Sequence, residues 1–100
     1  MNHDTGINEK NMAEIVGVLK RHKKIESAAI FGSRAKGNFS PFSDVDIAVY
    51  GNCDGLDTEA IISDLDDLPM VYIFDVVAYN LIQNPFLRRH IDTVGVMIYK

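Results

Sequence analysis

The spacing of apolar residues changes period several times along the chain, and each change marks an element. Over residues 9–24, Met12, Ile15, Val16 and Leu19 recur at helical spacing and predict a helix. Its end carries Lys20, Arg21, His22, Lys23 and Lys24, the basic run expected of a solvated helix C-terminus. Residues 27–31 are apolar and stop at Gly32, which reads as a strand. Residues 33–37 predict a turn and a short helix; residues 38–43, with Pro41 and several polar side chains, predict a loop that Phe39 and Phe42 anchor. Residues 44–50 alternate, with Val45, Ile47 and Val49 on one face and Asp44, Asp46, Ala48 and Tyr50 on the other. The link between these two strands is too short for a parallel crossover, so they are expected to run antiparallel.

Residues 51–55 read as a turn. Asp57 is expected to cap a second helix, with Leu56 and Ile61 as a hydrophobic staple and Ile61, Ile62, Leu65 and Leu68 as the buried stripe. Asp64, Asp66 and Asp67 then fall on a solvated face, and Leu68-Pro69 ends the helix. Residues 70–77 are β-branched and aromatic, with Asp75 as the charge among them. Asn84-Pro85 reads as an N-cap followed by proline at the first helical position of a short helix over 85–92, and residues 94–99 give a last strand. This order predicts an α/β (α+β) chain: a small mixed β-sheet with helices on one face and the acidic face left open.

Composition narrows the function classes. One hundred residues are expected to form a single domain, 1–100, and an apolar share of 47% supports a core. A net charge of −4 argues against a broad nucleic-acid-binding surface, yet it is compatible with a nucleotide whose phosphates are bridged to protein acids by a cation. Cys53 has no cysteine partner in the chain and reads as a half-buried filler or free thiol. His3, His22 and His90 lack metal-ligand spacing and read as surface or helix-end residues. No apolar stretch approaches a membrane span and the N-terminus shows no apolar signal region, so a reducing cytoplasm is the expected compartment.

The candidate chemistry lies in Gly32-Ser33, Asp44-Val45-Asp46 and Asp75. Each fragment alone is common; the conjunction is informative. Small residues at a strand end let a backbone turn approach a phosphate. Two carboxylates separated by one strand residue point the same way and can share a metal ion. A third carboxylate within an apolar strand is costly to bury unless it is paired or metal-bound, and close carboxylates raise one another's pKa. A divalent cation removes both objections, so the set predicts a site for a nucleoside triphosphate with magnesium.

In Ser33-Arg34-Ala35-Lys36-Gly37, Ser43-Asp44-Val45-Asp46, Asp75 and the apolar end Gly95-Val96-Met97-Ile98-Tyr99, the chain resembles the minimal nucleotidyltransferases of the DNA polymerase β superfamily. The resemblance covers nearly the whole chain and implies the polymerase β-like nucleotidyltransferase fold. It also implies roles. Gly32 and Ser33 would hold the triphosphate; Arg34 and Lys36 would touch phosphates or, as readily, be solvated surface charges. Asp44 and Asp46 would bind the Mg2+ that carries ATP, and Asp75 would complete a second Mg2+ site where the acceptor hydroxyl is activated. Many relatives place a further acid shortly after the third; here Ala78 follows Val76-Val77. The chain closes after its last strand, so it is expected to borrow its acceptor surface from another protein. Among the family, it resembles the antitoxin-like members that transfer AMP to a tyrosine of small helical HEPN-type toxins. A homo-oligomer stays open. The competing reading is a binding module that neutralises the helical partner by contact.

Overall fold

In the computed structural model, which describes residues 5–100, the first element is helix α1, Glu9–Arg21. His3 lies outside the described residues. Asn8 caps α1, its side chain accepting the Asn11 N–H at 2.7 Å. Ile15, Val18 and Leu19 are its buried residues, so the stripe is turned slightly from the expected one and Val16 lies at its margin. The helix stops inside the basic run: His22 is extended, and its ring pairs with Asp64 at 2.8 Å.

The remaining elements are β1 (Ile25–Phe31), α2 (Ser33–Lys36), β2 (Val45–Gly51), α3 (Gly55–Asp66), β3 (Phe74–Ala78), a single 3-10 turn (Tyr79–Leu81), α4 (Pro85–Val94) and β4 (Val96–Tyr99). They form a mixed four-stranded sheet in the order β3-β2-β1-β4. Strand β1 runs antiparallel to β2, as its short link predicts, and antiparallel to β4. Strands β2 and β3 are parallel, and α3 fills the crossover between them.

One sheet face carries Ala28, Ile30, Val45, Ile47, Val49, Phe74 and Val76 against Ile15, Leu19, Ile61 and Leu65 of α1 and α3. Each such fully buried aliphatic side chain stabilises the fold by about 1.5–3 kcal/mol. Cys53 belongs to this core and is buried rather than half-buried.

Two local expectations change. Helix α3 is capped by Asp54, not Asp57: Asp54 accepts the Asp57 N–H and Asp57 accepts the Asp54 N–H, each at 2.9 Å. Asp57 is thus the third helical residue of a capping box, and Leu56, 76% exposed, staples nothing. The second change concerns layering. Helices α1 and α3 share one face, but α4 packs on the other through Ile91, which lies with Phe31 and Ala48 and is flanked by Val77, Tyr79 and Leu87. The amphipathic α4 needs an apolar floor, and Ala48, small and fully buried, supplies one. The acidic face is therefore open only beyond α4. Among the described residues no helix is long and apolar enough to cross a membrane.

Candidate active site

The sheet register assembles the acids. Asp46 of β2 is paired with Asp75 of β3 on one side and with Phe31 of β1 on the other. Phe31 is the last residue of β1, so Gly32 follows at the edge of Asp46. The contact is close: a Cβ added at Gly32 would collide with Oδ2 of Asp46. Gly32 also has φ of +76°, a conformation that suits glycine. Asp44 lies immediately before β2, two residues ahead of Asp46, and its charge acts on the Asp46 carboxyl. The glycine turn, Asp46 and Asp75 thus lie at one end of three neighbouring strands, and Asp44 leads into the middle one.

Electrostatics rank the acids differently from the sequence. Asp75 was expected to be the costly buried one. It is exposed, because β3 is an edge strand of the sheet. Asp46, on the interior strand, is the half-buried acid. Its burial, and then the charges of Asp75 and Asp44, hold its carboxyl above the usual range.

Arg34 is not a solvated charge but is buried among backbone carbonyls. It is 1% exposed. Its Nε and Nη2 donate to the Ser43 carbonyl at 3.2 and 3.0 Å, Nη1 donates to the Thr5 carbonyl at 2.8 Å, and Nη2 reaches the Pro41 carbonyl at 3.4 Å. The guanidinium lies 5.2 Å from the Phe39 ring centre and 4.9 Å from that of Tyr72. Arg34 fastens the loop that delivers Asp44, and Phe39 anchors it as expected, whereas Phe42 is 92% exposed. Lys36 is exposed on α2.

His90, which reads from the sequence as a surface or helix-end residue, is a neighbour of the site. From α4 its Nε2 accepts the Gly32 N–H at 3.0 Å. Its only sequence signal is adjacency to Ile91, the residue that seats α4. A mainly apolar groove of about 610 Å³ between α1 and β4, lined by Ile7, Met12, Val16, Val96 and Ile98, is remote from these groups and holds none of the three acids.

The sheet order and helices are those of a polymerase β-like nucleotidyltransferase. The family model described as "Polymerase beta, Nucleotidyltransferase" matches residues 13–100, and the chain belongs to that family. Two proteins of Methanocaldococcus jannaschii that carry the name protein adenylyltransferase are 35% and 32% identical to it over 92 residues, spanning 83% of this chain and 93% of each relative. A solved toxin-antitoxin complex with AMP-PNP matches the fold with a TM-score of 0.70 at 24% identity, over 88% of this chain and 72% of that one. A tri-AMPylated Shewanella oneidensis HEPN toxin in complex with MNT antitoxin matches at 0.70 and 20% identity, over 90% of this chain and 70% of that one.

Proposed function

We propose that this chain is a magnesium-dependent adenylyltransferase that moves AMP from ATP to a hydroxyl of a small helical HEPN-type protein, acting in the cytoplasm as its antitoxin. The observation that carries the reading is the side-by-side register of Asp46 and Asp75, with Asp44 leading into the same strand and Gly32 against Asp46. Family membership and the adenylyltransferase names of the relatives support the transferred group. The toxin complexes of the same fold support the partner.

The acids suit magnesium in kind. They are hard oxygen donors, and the raised Asp46 carboxyl is a repulsion that a cation relieves. Among the described residues, no three acidic, histidine or cysteine side chains already converge closely enough to hold a metal ion. Magnesium binds few protein carboxylates and completes its shell with water and phosphate oxygens, so ions entering with the nucleotide fit this donor set. When bound, two Mg2+ ions would stabilise the attacking and leaving oxygens of an in-line displacement at the α-phosphorus. Asp44 and Asp46 hold the nucleotide side. Asp75 holds the acceptor side. Gly32 and Ser33 receive the triphosphate, with Lys36 exposed on the adjoining helix. The acceptor oxygen bonds to the α-phosphorus, pyrophosphate leaves, and the acceptor proton is released. Exposed Phe42 and Ile73 beside Asp44 and Asp75 suit a protein acceptor better than a small charged one.

Gly32→Val is expected to weaken Mg-ATP binding more than Ser33→Ala. The branched side chain meets Asp46 and opposes the positive φ, whereas Ser33→Ala removes one hydrogen bond of about 0.5–1.5 kcal/mol. Calorimetric titration checks the order, and a valine variant with wild-type affinity contradicts the phosphate-turn assignment.

The defining test incubates the protein with labelled ATP, magnesium and a helical partner. Label on the partner supports transfer; stoichiometric inhibition without ATP supports neutralisation by contact. In the same assay Asp75→Asn is expected to bind Mg-ATP within a few-fold of wild type yet transfer AMP at least ~100-fold more slowly, the scale lost with one positioned electrostatic group. Loss of ATP binding would assign Asp75 to the nucleotide metal instead.

A further inference from the structure

We propose that His90 is a positioning residue for nucleotide binding: its imidazole holds the Gly32 turn in the conformation that receives phosphate. This rests on the nucleotidyltransferase reading above.

Gly32 has the least conformational restriction in the turn and the most to lose when a ligand fixes it. Its N–H is donated to Nε2 of His90 at 3.0 Å, so the accepting nitrogen bears no proton in this arrangement. The histidine is itself held. The adjacent Ile91 is buried with Phe31 and Ala48, and the imidazole meets Phe31 edge-on, with ring centres 6.1 Å apart and an interplanar angle of 81°. Helix α4 is tied down at both ends. Asn84 caps its start, Arg88 Nη1 donates to the Tyr79 and Ile82 carbonyls at 3.3 and 3.1 Å, and Asp92 accepts the Tyr79 hydroxyl at 2.7 Å. A helix far along the chain therefore fixes the glycine that lies against Asp46. Holding that turn before ATP arrives removes an ordering cost from binding, while the displacement chemistry stays with the acids.

The test compares His90→Phe, which keeps a ring against Phe31 but cannot accept a hydrogen bond, with His90→Gln, which can. Two measurements are made: amide hydrogen exchange at Gly32 without nucleotide, and Mg-ATP affinity with the single-turnover rate at saturating ATP. His90→Phe is expected to speed exchange at Gly32 but not at Ile30 in the adjoining strand. It should weaken Mg-ATP binding about fivefold, the scale of one hydrogen bond, and leave the saturated rate within about twofold. His90→Gln is expected to restore both exchange and affinity. Unchanged exchange at Gly32, unchanged or tighter Mg-ATP binding in His90→Phe, or failure of glutamine to rescue would each overturn the proposal. A wild-type protein that binds no Mg-ATP would bring down the functional reading and this affinity claim together. It is distinct from failure of the His90 role alone, which leaves wild-type binding intact.

Discussion

Asp46→Asn is expected to reduce AMP transfer by at least ~100-fold and, in the same protein, to raise the thermal midpoint measured in chelator. The two effects share one cause. Asp46 lies on the interior strand β2, where burial, Asp75 and Asp44 all raise its carboxyl pKa above the ordinary value. For an acid raised in the folded state, the folded protein binds more protons than the unfolded one between the two pKa values. Stability therefore falls as pH rises through that window, and at neutral pH the ionised group is a net cost to the metal-free fold. Asparagine keeps the shape and removes the charge. The stability gap between variant and wild type should be widest near neutral pH and close below about pH 3, where the carboxyl is protonated in both states. Thermal unfolding across pH, paired with the transfer assay, reads both effects. A variant that transfers normally removes Asp46 from the mechanism. A variant less stable than wild type at neutral pH, without metal, shows that the carboxylate is stabilised rather than repelled.

Much of this arrangement is legible in the sequence where the physics is local. The apolar run ending at Gly32, the alternation of residues 45–50 and the short link between them give two antiparallel strands and put Asp46 on the face away from Val45 and Ile47. Asn84-Pro85 marks the start of α4 to the residue. What the sequence hides is non-local or symmetric. Asp54 and Asp57 stand at capping-box spacing before the same apolar stripe, and each satisfies the other's N–H, so propensity does not say which is the cap. The parallel register of β2 and β3, which sets Asp75 beside Asp46, is made by the packing of α3 rather than by either strand's pattern. The exposure of Asp75 follows from its edge position, which apolar neighbours along the chain disguise. His90 reads as one polar residue of an amphipathic helix until the fold brings α4 across Gly32. Arg34 is the sharpest miss. Its partners are backbone carbonyls, and carbonyls leave no trace in a side-chain pattern.

Arg34→Ala is accordingly expected to be the most destabilising substitution in this region. The side chain is buried and satisfies the carbonyls of Thr5 and Ser43, with a longer contact to Pro41. Truncation leaves those acceptors without their charged donor and strips Phe39 and Tyr72 of the cation between them. Hydrogen bonds to a charged group contribute about 1.5–3 kcal/mol each, so a loss of about 3 kcal/mol is expected. In a domain of this size that lowers the melting midpoint by roughly 12–24 °C. Arg34→Lys keeps the charge but cannot fork to Thr5 and Ser43 together, so it should fall between. The pair separates a structural arginine from a phosphate ligand. A ligand would lose Mg-ATP affinity in both variants with little change in melting. A fastening for the Asp44 loop must lose stability first, and lose affinity only as far as Ser43 and Asp44 move with it. Circular-dichroism melting of both variants, followed by Mg-ATP titration of whichever remains folded, decides between them, and an alanine variant that melts with wild type would overturn the fastening role.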